Sequence, residues 1–151
     1  MRKKFDTKDG VLMLFGVVVI ALAIFYAVLS PGFSAGSLQS SAPLYAPSGT
    51  LAPGFPSELV VDQGAIIAQS YSIHYPPSTE QYATTFNSKM TGRGLFLLYQ
   101  NYFAGNGWQV THSGMNSGFS GIYAVKMNDT ANIMIVPAAT STQVSVGYLV
   151  Q

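Results

Sequence analysis

Nineteen consecutive residues, Val11 to Leu29 (VLMLFGVVVIALAIFYAVL), carry no charge and nothing more polar than Tyr26. As a helix they reach roughly 29 Å, close to the thickness of a bilayer's hydrocarbon core. Thirteen of them are Leu, Ile, Val or Phe. Inserting such a run gains on the order of 5 kcal/mol, with no charged side chain to offset it. The sequence therefore predicts a transmembrane helix over residues 10–29, with the lipid bilayer as partner through residues 11–29. Arg2, Lys3, Lys4 and Lys8 precede the span, and no Lys or Arg follows until Lys89. The positive-inside rule then puts residues 1–9 in the cytoplasm and the rest of the chain outside, as a single-pass protein of the cell membrane.

Two other fates compete with a retained anchor. A cleaved signal peptide has an apolar region of only about 7–15 residues, and small-residue sites such as Ser34-Ala35-Gly36 match a cleavage site poorly. Lys8-Asp9-Gly10, followed at once by the apolar run, resembles the processing site of archaeal class III, pilin-like signal sequences. Cleavage after Gly10 would leave the apolar helix as the core of a filament, and a pilin-like subunit is the alternative reading. The Glu that bacterial pilins carry early in the mature helix is missing here. Gly16, Ala23 and Ala27 share one helical face, a weak signal for self-association of anchors, because small residues are common in such helices.

Composition narrows what the remainder can be. Charged residues are 9% of the chain, against roughly 25% in soluble globular domains. A net charge of +1 provides no footprint for nucleic acid. There is no cysteine, which removes disulfides, thiolate metal sites, a Cys nucleophile and a lipid-modified Cys anchor. Residues 30–57 hold no charge and are dominated by Gly, Ser, Pro, Ala and Thr, with prolines at 31, 43, 47, 53 and 56. Such a stretch reads as a solvated, partly extended spacer. Phe33, Leu44, Tyr45, Leu51 and Phe55 interrupt it and mark parts that can lie along the domain or the membrane surface.

Residues 58–151 are then an extracytoplasmic domain large enough for one modest core. Residues 65–75 (AIIAQSYSIHY) and 81–87 (QYATTFN) read as two strands around PPSTE. Leu95, Leu98, Tyr99, Tyr102 and Phe103 follow at i, i+3, i+4, i+7 and i+8, the stripe of a helix packed on one side. Thr91 or Ser88 caps its start, and Gly105, Asn106 or Gly107 takes the left-handed conformation that ends it. Trp108, Val110 and His112 alternate as a strand resumes. Residues 114–121 (GMNSGFSG) are too rich in Gly, Ser and Asn for a regular element. Residues 122–126, 131–136 and 143–150 are β-branched runs with short turns between them. The order β-β-α-β-β-β-β predicts class α+β, an antiparallel sheet with one helix packed on a face. Gly107 and Trp108 are its fold marker, with the Trp108 ring covering the edge of the core.

Several pieces together, Phe55-Pro56, QYATTF, LYQNYFAGNGW, IYAVKMNDTANIMIV and STQVSVGY, resemble a module found in many uncharacterised prokaryotic membrane-anchored or secreted proteins. Its helix has the form YxxYL…GW, and its last strand is an alternating TxVxIxY run. The resemblance covers roughly residues 55 to 149. It implies an α+β fold and an exported location, and it brings no catalytic role. Where the helix of that module carries Lys and Glu, this one is poor in charge.

Catalytic and cofactor chemistry have little to stand on. The candidate ligands and bases of the domain are His74, His112, Glu58, Asp62, Glu80 and Asp129. Only Glu58 and Asp62 are spaced as a couple, which reads better as a solvated strand entry than as a metal site. His74 reads as the end of a hairpin and His112 as an exposed strand residue. No G-x-S-x-G occurs, and GFSG at 118–121 lacks that spacing. TGRGL at 91–95 matches neither nucleotide fingerprint. Asn128-Asp129-Thr130 is an N-glycosylation sequon in an expected turn. The sequence thus predicts a membrane-anchored binding or accessory module, not an enzyme, without cofactor or nucleic acid. Its many Tyr, Ser, Asn and Thr residues suit an envelope protein or polysaccharide partner.

Overall fold

The computed structural model describes residues 40–151, which belong to one compact unit, Leu38–Gln151. Among these residues no helix is long and apolar enough to cross a membrane. The span expected at 10–29, the Lys8-Asp9-Gly10 site and the first part of the expected spacer lie outside them.

Among the described residues seven strands form one antiparallel sheet. They are β1 (Leu44–Tyr45), β2 (Ile66–Tyr75), β3 (Thr79–Ser88), β4 (Gln109–Met115), β5 (Ser120–Lys126), β6 (Asp129–Pro137) and β7 (Thr142–Val150). Their order across the sheet is β1-β2-β3-β7-β6-β5-β4. The one α-helix among the described residues, α1 (Gly92–Gly105), leaves β3 near the centre and returns the chain to the far edge at β4, packing over β4, β5 and β6. The fold is α+β in two layers, with the expected order β-β-α-β-β-β-β preceded by the short β1.

Side-chain alternation explains why the sheet has one dry face. Phe86, Val144, Val146, Ile133, Ile135 and Ile122 point the same way from four strands and are fully buried. Leu95, Tyr99 and Phe103 of α1 meet them with no exposure, and Phe96 joins the core. Leu98 and Tyr102, expected in the same stripe, are half-buried at its margin. The Thr91 side chain caps α1 by accepting from the Gly94 amide at 3.1 Å. The helix ends at Asn106, with Gly107 at φ 74°. The Trp108 amide then reaches back to the Phe103 carbonyl at 3.1 Å, the six-to-one bond of a Schellman motif. Trp108 lies one residue before β4 rather than beginning it.

Two expectations change. Residues 44–57, read from composition as spacer, belong to the domain. Leu44 and Tyr45 pair with Ser72 and Tyr71 of β2, and Ala52 and Phe55 are buried. The reason is local: the Ala52 amide donates to Ser70 Oγ at 2.9 Å, and a 3₁₀ turn at Ser57–Leu59 drops Leu59 into the core. There the Tyr99 hydroxyl donates to the Leu59 carbonyl at 2.7 Å. Residues 114–121 are not irregular throughout, because Gly114 and Met115 finish β4 while Ser120 and Gly121 begin β5. Asn116 makes that hairpin by accepting from the amides of Gly118 and Phe119, each at 2.8 Å, as Asx turns do.

Candidate binding surfaces

Register places every strand residue on one of two faces, because directly paired residues point the same way. One row crosses all seven strands: Tyr45, Tyr71, Ala83, Gly147, Asn132, Tyr123 and His112. It lies on the face away from α1, over which no described element packs. The rows on either side add Ile73, Gln81, Leu149, Thr130 and Val125, and Gln69, Thr85, Ser145 and Met134. Apart from buried Ala83, these side chains are half-buried or exposed. No Asp, Glu, Lys or Arg occupies a strand position on this face, although the described residues include seven such side chains.

The face is internally ordered. The Tyr45 and Tyr71 rings lie 5.4 Å apart at the β1 end, and His112 and Tyr123 lie 6.4 Å apart at the β4 end. The Tyr75 hydroxyl donates to Gln81 Oε1 at 3.0 Å, and the Thr85 and Ser145 hydroxyls meet at 3.4 Å. Burial, and then the neighbouring Tyr45 and Tyr75, push the Tyr71 hydroxyl above its ordinary range, so it stays neutral. A surface of Tyr, Gln, Asn, Thr and Ser around small Ala and Gly offers hydrogen bonds and ring faces without charge. It suits an uncharged partner.

On the other side, at one end of the sheet, a cleft of about 200 Å³ opens between the start of the domain, the end of α1 and the β5–β6 turn. Glu58, Tyr102, Asn106, Trp108, Lys126, Met127, Asp129 and Tyr148 line it. The Trp108 ring stands edge-on to Phe103 at 5.5 Å and to Tyr148 at 6.3 Å. Tyr148 in turn stacks on Tyr82 at 6.1 Å and donates its hydroxyl to Asp129 Oδ2 at 2.7 Å. Burial first, then the bond to Asp129 and the charges of Asp129 and Glu58, hold the Tyr148 proton well above the usual phenol range. Burial and then Glu58 push Tyr102 the same way, against a hydrogen bond with Trp108. Met127, at φ 55° and 92% exposed, forms the outer lip. Positive φ costs an ordinary side chain about 1–2 kcal/mol.

The residues singled out from sequence scatter. His74 Nδ1 lies 2.6 Å from Glu80 Oε1 in an exposed position. His112 is exposed on β4, with Nδ1 3.2 Å from Thr111 Oγ1. Asp62 accepts from Ser88 Oγ and from the Gly64 amide, so it holds a turn, while its sequence neighbour Glu58 faces the cleft. Asn128 is exposed in the β5–β6 turn. Among the described residues no group of three or more His, Asp or Glu is arranged to hold a metal ion. Neither the uncharged face nor the cleft was recognised as a unit from sequence. The first was open to a reading of strand parity, and the second joins residues 58, 102, 108, 129 and 148 only through the fold.

Set against family models, curated proteins and solved structures, the chain finds no match.

Proposed function

We propose that this protein is a single-pass, membrane-anchored binding module. Residues 1–9 lie in the cytoplasm, residues 10–29 span the bilayer, and the α+β domain stands outside the cell. The charge-free run and the basic residues confined to its N-terminal side support that placement. The uncharged sheet face carries the binding role, and an envelope polysaccharide or protein is the partner it suits. No described element packs over that face, and its rings and uncharged polar side chains supply the contacts such a partner needs. No catalytic step and no cofactor enter this reading, which agrees with the exported modules whose helix-to-strand motif the chain resembles.

Two measurements test it. The mature N-terminus of the membrane-extracted protein is expected at residue 1 or 2, with the domain open to protease added to intact cells. A start at Val11 would replace the anchor with a pilin-like filament subunit, and a start near residue 35 with a free secreted domain. For binding, the full chain in neutral detergent is mixed with lipid-free envelope material. Wild type is expected to be retained. Thr85→Lys and Ser145→Lys, which charge the middle of the face, are expected to release the protein without lowering its melting temperature much. Equal retention of all three would remove the sheet face from the function.

A further inference from the structure

The cleft beside Trp108 lies on the helix side of the sheet and stands apart from the uncharged face. We propose that it binds a compact organic cation, a protonated amine or a quaternary ammonium group, with Trp108 and Tyr148 as aromatic walls and Glu58 and Asp129 as counter-charges. The size of the cleft sets the first limit. At about 200 Å³ it falls below the roughly 300–1,000 Å³ of pockets that hold drug-sized molecules. A head group or a single side chain fits.

Its walls set the second limit. The Trp108 and Tyr148 rings, 66° apart with centroids 6.3 Å from each other, make an edge-to-face pair, and both line the cleft, so it is walled by aromatic surface in two orientations. Cations are drawn to ring faces, Trp most strongly, and quaternary ammonium groups are held by aromatic enclosures of this type. Charge sets the third. Only seven charged side chains occur among the described residues, and three of them, Glu58, Lys126 and Asp129, line this cleft. Two carboxylates against one ammonium leave the site net acidic; the phenols of Tyr148 and Tyr102, raised first by burial, are raised further by these carboxylates. Lys126 is exposed and cross-strand from Asp129, where it weakens cation binding without closing the site.

Trp108 is the only Trp of the protein, so its fluorescence reports on the cleft directly. The full chain, in a neutral polyoxyethylene detergent, is titrated with tetramethylammonium chloride against sodium chloride at equal ionic strength. Choline and the methyl ester of Nα-acetyl-lysine serve as separate arms that distinguish a lipid-type head group from a peptide side chain. A saturable change with at least one organic cation is expected. Glu58→Gln and Asp129→Asn are expected to weaken it roughly three- to fivefold each. Lys126→Gln is expected to tighten it by a similar factor, an opposite sign that a merely structural role does not produce. A response equal to that of sodium chloride, saturation by glucose instead, or indifference to all three charge variants would overturn the proposal.

Discussion

Phe103 and Trp108 are joined twice: the Trp108 amide donates to the Phe103 carbonyl at 3.1 Å, and their rings meet edge-on at 5.5 Å. The backbone bond requires Gly107 at φ 74°, so helix end, turn and aromatic contact form a single unit. Trp108 is half-buried against the core, so Trp108→Ala is expected to cost about 3 kcal/mol, toward the low end for a truncated aromatic. Gly107→Ala separates the turn from the rings. Nothing lies within 4 Å of a Cβ placed there, so its cost is conformational alone, about 1–2 kcal/mol. Thermal melting of the two variants checks both values. A Trp108→Ala protein as stable as wild type would contradict the packing described.

Tyr99 gives the domain a sensitivity to alkali. Burial, then Tyr102 and Asp62, raise its hydroxyl far above the ordinary value of 10.0, so it stays protonated when folded and ionises near that value when unfolded. The folded state therefore binds more protons above pH 10, and stability present below that pH is lost as pH rises further. Tyr99→Phe is expected to cost about 1–2 kcal/mol at neutral pH, since it leaves the Leu59 carbonyl without the 2.7 Å bond. It is also expected to flatten the fall in melting temperature between pH 9 and 11. A parallel fall in both proteins would assign the effect to other groups.

Phe55 distinguishes spacer from domain. A solvated spacer residue changes nothing when truncated, whereas Phe55 is 7% exposed within the core cluster. Phe55→Ala is expected to destabilise the fold by about 3–4 kcal/mol. Chemical denaturation measures this, and a change below about 0.5 kcal/mol would return residues 44–57 to the spacer.

The β4 strand leaves an open edge. All seven of its residues are exposed, with neither charge nor proline to blunt it, and a bulge between Val110 and His112 is its one irregularity. Val110, Met115 and Phe119 add exposed apolar surface alongside. Edges of this kind invite pairing with another chain. Met115→Lys is expected to lower concentration-dependent association, measured by light scattering, with little change in melting temperature.

How far the sequence carries is clearest residue by residue. The stripe through Leu95, Tyr99 and Phe103 shows the helix, because burial on one side imposes its period on the sequence. Alternation in residues 65–75 and 81–87 and the three β-branched runs after them show five of the six longer strands almost to their ends. β4 was visible only at its start, since its later residues are small and polar and its partner contacts come from β5. Phe55 stands out as a residue able to lie along the domain, but its burial and that of Ala52 are masked by the prolines and glycines around them, whose local preference is overruled by tertiary contacts. The cleft has no local signature. Glu58 and Tyr148, ninety positions apart, meet near Trp108 only after the helix has carried the chain across the sheet.

The row from Tyr45 to His112 also acts as a ruler. Between its two aromatic banks, Tyr71 on β2 and Tyr123 on β5, the small side chains of Ala83 and Gly147 and the amide of Asn132 leave a low saddle. Four strand spacings separate the banks, about 19 Å along the hydrogen-bonding direction. A small molecule reaches one bank or the other. In the proposed binding role only an extended ligand lying across the strands would engage both, so length would be selected before chemistry.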